Sequence, residues 1–377
     1  MTKDFEVTPW EVKGSVDYSK LVQKFGTQVI GDELANKLEA MAGESHVMLR
    51  RRYFFSHRDL DKVVEGLERG KSFFVYTGRG PSGRMHIGHI APFFFSAWLQ
   101  KVFGVNVYIA ISDDEKLFVK DIERWDELDK MSANNIEVIS GVGFDPDKTF
   151  IFKDSEYIGN VYPMLARIAK KINFSSAKAV FGFSGESNIG IIFYPAYQIV
   201  PTFFEQKRCL IPCGIDQDPY WRIQRDIAES FGQKASIIHS KFLPPLQGVD
   251  GKMSSSDANS GIWVDDDEKT VERKVNKYAF SGGRDTLEEH RKLGGRVEVD
   301  VPFQWLYYFF EEDDRRIKEI EEGYRKGDIT SGEMKAFVIE KINLMLGKLR
   351  KNMDRGKVEK YMKTGKLAKE MWGRKYV

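Results

Sequence analysis

Residues 72–89 read Ser72-Phe73-Phe74-Val75-Tyr76-Thr77-Gly78-Arg79-Gly80-Pro81-Ser82-Gly83-Arg84-Met85-His86-Ile87-Gly88-His89. Residues 72–77 form one unbroken apolar run bounded by glycine, the pattern of a strand buried on both faces. A glycine-rich turn follows, and the pattern from about residue 86 to 103 predicts a helix. The rhythm continues downstream. Strands are predicted at 105–112, 149–152, 210–213 and 235–239, with helices at 121–140 and about 219–231.

Strand, turn and helix in alternation predict an α/β chain with a Rossmann-like, doubly wound parallel sheet covered on both faces. This catalytic unit should span 71–265. Residues 153–205 break the rhythm and read as an inserted, partly helical connective segment. Residues 1–70 are mixed: extended pieces near Pro9, then helices over 17–25, 32–41 and 59–68, the first two opened by Asp17 and Asp32. After about Asp265 the strand signals stop. Residues 266–377 carry only helical patterns and predict a C-terminal α-helical domain. Its tail, 341–377, holds twelve Lys and Arg against Asp354, Glu359 and Glu370.

The composition is globular: 42% hydrophobic, 30% charged, formal net charge +2. With such balance, any surface for nucleic acid must be local. Two cysteines, Cys209 and Cys213, are too few for a disulfide scaffold or a zinc cage. Residues 1–10 contain no apolar leader core, and the apolar stretch 189–204 is short and broken by Pro195, Gln198 and Pro201. The expectation is a soluble, cytoplasmic protein without a membrane span or a protein-held metal.

Gly78, Gly80 and Gly83 match the G-x-G-x-x-G pattern of dinucleotide sites. The acidic residue such sites need about 20 positions on is absent from 99–104, and Pro81 fits that turn badly. His86 and His89 explain more. Three apart, they share one face of a helix's first turn, where free amides and the helix dipole already favour an anion. Gly88 between them removes a side chain that would hold a nucleotide away. Two imidazoles beside a polyphosphate can donate hydrogen bonds as charge moves onto the bridging oxygen. The second cluster, Lys252-Met253-Ser254-Ser255-Ser256, follows Gly248 and Gly251. It puts one cation among hydroxyls on a flexible loop, suited to following charge onto a departing pyrophosphate.

Paired on one alternating α/β unit, these motifs resemble the two that define class I aminoacyl-tRNA synthetases. Y-T-G-R-G-P-S-G at 76–83, S-D-D-E-K at 112–116, P-A-Y-Q at 195–198, C-G-I-D-Q-D-P-Y at 213–220 and A-F-S-G-G-R-D-T at 279–286 resemble the archaeal and eukaryotic tryptophanyl-tRNA synthetases, in that family's order and over nearly the whole chain. The resemblance implies ATP-dependent activation of L-tryptophan, then transfer to tRNA(Trp). It implies that His86, His89, Lys252 and Arg79 are catalytic. Gly78, Arg79, His86, Gly88, His89, Gly214, Asp216, Lys252, Met253, Ser254 and Ser255 would bind ATP. Asp216 would take the ribose, and Gly214 would let the nucleotide approach. Tyr76, Glu115, Gln198 and Gln217 would bind tryptophan, Tyr76 through the indole N–H. Mg2+ would arrive on ATP. The insertion would support a homodimer, the first seventy residues would lie over the site near Trp10, and the helical domain would hold the anticodon.

Two positions depart from the family. Ala110 stands where a glutamine often helps grip the indole nitrogen, and Ser255 stands where many class I enzymes have a second lysine. Ala110 keeps the sister enzyme for tyrosine in view, while G-R-G-P-S and A-F-S-G-G-R-D-T oppose it. A small-molecule nucleotidyltransferase would not need the long helical domain. A non-catalytic, RNA-binding paralogue would not need His86, His89, Glu115 and Lys252 together.

Overall fold

The structure is a computed structural model describing residues 6–9, 12–14, 16–120, 122, 124–254 and 257–376. Phe5, Trp10 and Ser255 lie outside the described residues.

The chain opens with the short strands β1 (Glu6–Val7) and β2 (Val12–Lys13), then α1 (Tyr18–Phe25), β3 (Gln28–Val29), α2 (Asp32–Ala42), α3 (Val47–Arg50), β4 (Phe54–Arg58) and α4 (Leu60–Glu68). Asp17 caps α1 by accepting from the amides of Ser19 and Lys20. Asp32 does not cap α2: Gly31 holds the cap position and Asp32 is the first helical residue, where its charge still faces the positive end of the helix dipole. The predicted alternation then follows as β5 (Phe73–Arg79), α5 (Ile87–Phe103), β6 (Val107–Ile111), α6 (Asp113–Val119), α7 (Trp125–Ser140) and β7 (Thr149–Lys153). The inserted segment is α8 (Asp154–Lys171), α9 (Phe174–Phe181) and α10 (Ile189–Ile199). After it come β8 (Arg208–Gly214), α11 (Asp218–Ile227) and β9 (Ser236–Ser240). Helices α12 (Glu268–Tyr278), α13 (Leu287–Leu293), α14 (Val301–Trp305), α15 (Asp314–Lys326), α16 (Ser331–Asn352), α17 (Arg355–Glu359) and α18 (Lys366–Gly373) complete the chain.

The main sheet has the order β3-β4-β9-β8-β5-β6-β7. Strands β9, β8, β5, β6 and β7 run parallel. Strands β4 and β3 add antiparallel at the β9 edge, so the sheet is mixed. The first seventy residues therefore extend the sheet as well as reaching the site. F-F-S-H-R at 54–58 escaped the sequence reading because its polar half hides the strand. The chain order reverses between β5 and β8, and such a switch point opens a crevice at the strands' carboxyl ends.

Alternation along the strands feeds two cores. Phe73 and Val75 of β5, with Val107, Ile109 and Ile111 of β6, pack beneath α5, α7, α12 and α14 to α16. Phe74, Tyr76, Tyr108 and Ala110 pack on the opposite face beneath the insertion and α11.

The last helices differ from the expectation of one helical unit over 266–377. Tyr361 donates to the Phe144 carbonyl at 2.8 Å, and Leu367, Ala368, Met371 and Tyr376 are buried in the insertion-side core. Tyr157 of α8 donates to the Met371 carbonyl at 2.8 Å. The lysine count of this stretch concealed a buried apolar stripe at helical spacing.

Candidate active site

The crevice at the switch point is a cavity of about 560 Å³. Its wall includes Tyr76, Gly78, Arg79, His86, Gly88, His89, Glu115, Gln198, Gly214, Asp216, Gln217, Lys252, Met253 and Ser254. Every described site residue expected from the sequence is thus in one cleft, and Ser255 lies outside the described residues. Pro9 and Val12 of the first segment also reach the wall.

Main-chain pairing explains how motifs so far apart in sequence meet. The Ile87 amide donates to the Ile262 carbonyl at 3.0 Å, and the Val264 amide to the Met85 carbonyl at 2.9 Å. His86 and Trp263 form an antiparallel bridge between these bonds. The chain leaving the lysine loop is thereby stitched to the chain entering α5. Met253 packs into the gap: a Cβ on Gly261 would lie 2.8 Å from its Sδ, and one on Gly88 would lie 3.6 Å from it.

His86 is the N-cap of α5, and its amide donates to His89 Nδ1 at 3.2 Å. The two rings stack with centroids 3.3 Å apart, and His86 stacks in turn on Trp263. Burial, reinforced by the Arg79 and Lys252 cations, holds both imidazoles well below the usual histidine range. They are neutral at pH 7 and can each donate one hydrogen bond. Both His86 ring nitrogens are buried without a hydrogen-bond partner among the described residues. Such orphan atoms in a cleft wall favour a polar ligand.

Arg79 ends β5. Its Nε donates to Asn135 Oδ1 at 3.2 Å and its Nη2 to Ser82 Oγ at 3.3 Å. Burial pushes its pKa down to about 10, so it stays cationic. Lys252 Nζ stands 3.1 Å from Asp216 Oδ2 and 5.6 Å from the Phe242 ring centroid. A Cβ on Gly214 would lie 2.5 Å from Asp216 Oδ1. In this structure, then, the space that Gly214 leaves open is taken by the aspartate itself.

The apolar end of the cleft lies over β5 and α10. The Tyr76 hydroxyl donates to the Gln198 carbonyl at 3.1 Å, and the Gln198 side-chain oxygen accepts from the Tyr194 hydroxyl. Glu115 Oε1 accepts from the Tyr220 hydroxyl at 3.3 Å, while Oε2 lies 3.4 Å from Lys116 Nζ. Trp221 closes the chamber, its ring 6.0 Å from that of Tyr76, and its Nε1 donates to Cys213 Sγ at 3.3 Å. Ala110 lines the same cavity. Sequence reasoning missed Tyr194, Trp221, Lys116 and Lys241 as wall residues. The first two sit one residue outside the quoted motifs, and a lysine or an aromatic carries no signal of facing a cleft until the helices are placed.

The model of the class I tRNA synthetases (W and Y) matches residues 68–347. A tryptophan–tRNA ligase of Saccharolobus solfataricus is 59% identical over 99% of each chain. The tryptophan–tRNA ligase of Pyrococcus abyssi is 53% identical over 99% of this chain and 98% of its own. Among solved structures, the tryptophanyl-tRNA synthetase of Encephalitozoon cuniculi bound to tryptophan superposes with TM-score 0.86 at 37% identity, covering 93% of this chain and 98% of that one. Fold, cleft and these likenesses agree, and the chain belongs to the class I tRNA synthetases of the tryptophan and tyrosine family.

Proposed function

We propose that this chain is a tryptophan–tRNA ligase. The tryptophan carboxylate attacks the α-phosphorus of ATP and pyrophosphate leaves. A terminal ribose hydroxyl of tRNA(Trp) then attacks the carbonyl of the adenylate, releasing AMP. The observation that carries this reading is the pairing of 85–87 with 262–264, which hangs the lysine loop beside the histidine turn.

No protein nucleophile is needed. Catalysis is positioning plus electrostatic stabilisation. The neutral His86 and His89 donate to phosphate oxygens, and the half-buried Arg79 supplies fixed positive charge. Lys252 rests on Asp216. A nucleotide whose ribose takes Asp216 frees the lysine for the leaving phosphates. Gly78, Gly88 and Gly214 border the space proposed for ATP, and Met253 and Ser254 line it from the lysine loop. With one lysine in that loop, Arg79 carries more of the charge. Among the described residues no group of three or more His, Cys, Asp or Glu could hold a metal. Mg2+ would arrive on ATP, where it would screen phosphate charge.

Glu115 faces the substrate ammonium, and Gln198 and Gln217 its polar end. The Tyr76 proton is committed to the Gln198 carbonyl, which leaves the phenolic oxygen as acceptor for the indole N–H. A site built around that bond rejects phenylalanine, which leaves the acceptor unpaired.

A homodimer is supported by exposed apolar residues on the insertion: Tyr162, Phe174, Phe193 and Ile189, the last 84% exposed. Residues 266–377 are proposed to hold the anticodon. The C-terminal stretch buries Tyr361, Leu367 and Met371 and leaves Lys360, Lys366 and Lys369 exposed for phosphates. Among the described residues no helix is long and apolar enough to cross a membrane; a cytoplasmic place of action is proposed with the tRNA-charging role.

ATP–pyrophosphate exchange with each amino acid tests the assignment. Exchange with tryptophan and charging of tRNA(Trp) are expected; exchange with tyrosine alone would end it. Lys252→Ala should slow adenylate formation far more than it weakens tryptophan binding, and equal effects would remove its role. Ile189→Lys should shift the protein toward monomer in light scattering; an unchanged mass argues against that face.

A further inference from the structure

Two adjacent residues outside the cleft grip the helix that forms one of its walls. Strand β4 ends at Arg58, and Asp59 follows with φ +54°, a left-handed conformation that a short polar side chain tolerates. Arg58 Nε and Nη2 donate to the two carboxylate oxygens of Asp218 at 2.6 and 2.8 Å. Asp218 is the first residue of α11 and is fully buried. At the other end of that helix, Arg225 Nη1 donates to Asp59 Oδ2 at 2.7 Å. Residues seven apart lie on one helical face, about two turns from each other. An Arg-Asp pair at the end of β4 thus meets an Asp and an Arg on α11, with the charges reversed.

The grip extends further. His239 Nε2 lies 3.2 Å from Asp218 Oδ1, off the N–H axis, and its Nδ1 is 3.1 Å from Ser56 Oγ. Arg58 also donates to the Gly26 and Phe25 carbonyls where α1 ends. The helix so held carries Tyr220 and Trp221 into the cavity wall, and Asp216 and Gln217 immediately precede it.

We propose that Arg58 and Asp218, supported by His239, are positioning residues for the turn 214–217, and that they set the aim of Asp216 and Gln217. The inference rests on the assignment of Asp216 to the ribose made above. A bidentate guanidinium–carboxylate pair fixes orientation as well as distance, which packing of α11 through its apolar face alone would not do. Because Asp218 is buried, its charge tolerates no loose partner.

The test is ATP–pyrophosphate exchange with ATP and with its 2′- and 3′-deoxy analogues, in Arg58→Lys, Asp218→Asn and Asp216→Ala. Leu346→Ala, in the core of α16, serves as a control for lost stability that leaves the turn alone. In Arg58→Lys the KM for ATP should rise about tenfold, the order expected for one misaimed charge-assisted hydrogen bond, and the preference for ATP over the analogues should shrink by a similar factor. Leu346→Ala should keep that preference. His239→Gln retains a donor near the Nε2 position and should preserve more of the preference than His239→Leu. If Arg58→Lys and Asp218→Asn fail to fold, the two His239 variants decide. Wild-type preference unaltered by Arg58→Lys, or by both His239 variants when those decide, overturns the proposal. A wild type without preference, or one whose preference survives Asp216→Ala, overturns the ribose assignment and this inference with it.

Discussion

Gly88→Ala should separate folding from catalysis. Gly88 is the second residue of α5. A Cβ there would stand 3.2 Å from His86 Nδ1, 3.3 Å from its Cε1 and 3.6 Å from Met253 Sδ. Comfortable non-bonded carbon contacts begin at about 3.5 Å, so the imidazole must move by a few tenths of an ångström. Two stability terms oppose each other. Alanine gains up to about 1 kcal/mol over glycine in a helix, and overpacking costs about 1–3 kcal/mol at a rigid contact. Here the neighbours are a ring and a flexible thioether, so the lower cost applies and the net change stays within about 1 kcal/mol. Catalysis lacks that cushion, since a misplacement of about 1 Å can cost about a hundredfold. We expect an unchanged melting temperature within a few degrees and adenylate formation slowed about tenfold. Calorimetry and single-turnover adenylate formation measure the two. An intact fold with an unaltered rate would refute the view that this glycine sets the His86 ring for the phosphates.

Tyr76→Phe strands the Gln198 carbonyl and removes the proposed indole acceptor. It should cost about 1 kcal/mol of stability and raise the KM for tryptophan about tenfold while relaxing rejection of phenylalanine; an unchanged KM removes the role. Asp218 gives a pH signature. Burial pushes its pKa up, but the Arg58 hydrogen bonds and the nearby His239 ring outweigh this and hold it at about 2, against an ordinary 3.8. A depressed carboxylate contributes stability above its unfolded pKa and loses it as pH falls toward the folded value. The stability difference between wild type and Asp218→Asn should therefore be full at pH 6 and shrink by about 2 kcal/mol between pH 5 and 2 in urea titrations; a difference that does not change with pH would show that the charge does not matter.

Much of this protein was legible without coordinates because the informative stretches are local. The run 72–77 is apolar on both faces and reads as a central strand wherever it occurs. His86, Gly88 and His89 share a helical turn by spacing alone, and Lys252 sits on a polar loop whose composition admits little else. Other features depend on partners remote in sequence. The antiparallel strand 54–58 is defined by its pairing with β9, not by its own pattern. The C-terminal stretch reads as a basic surface until β7 and α8 are present to pack against it, with Tyr361 buried in one core and Leu367 and Met371 in the other. The bond stitching 87 to 262 joins backbone atoms, which no side-chain pattern records. Sequence alone determined which chemical groups this chain owns and the local element that carries each. Tertiary structure alone decided which groups share a cleft and which partner holds each in aim, because such contacts form between segments whose separation along the chain leaves no periodic trace.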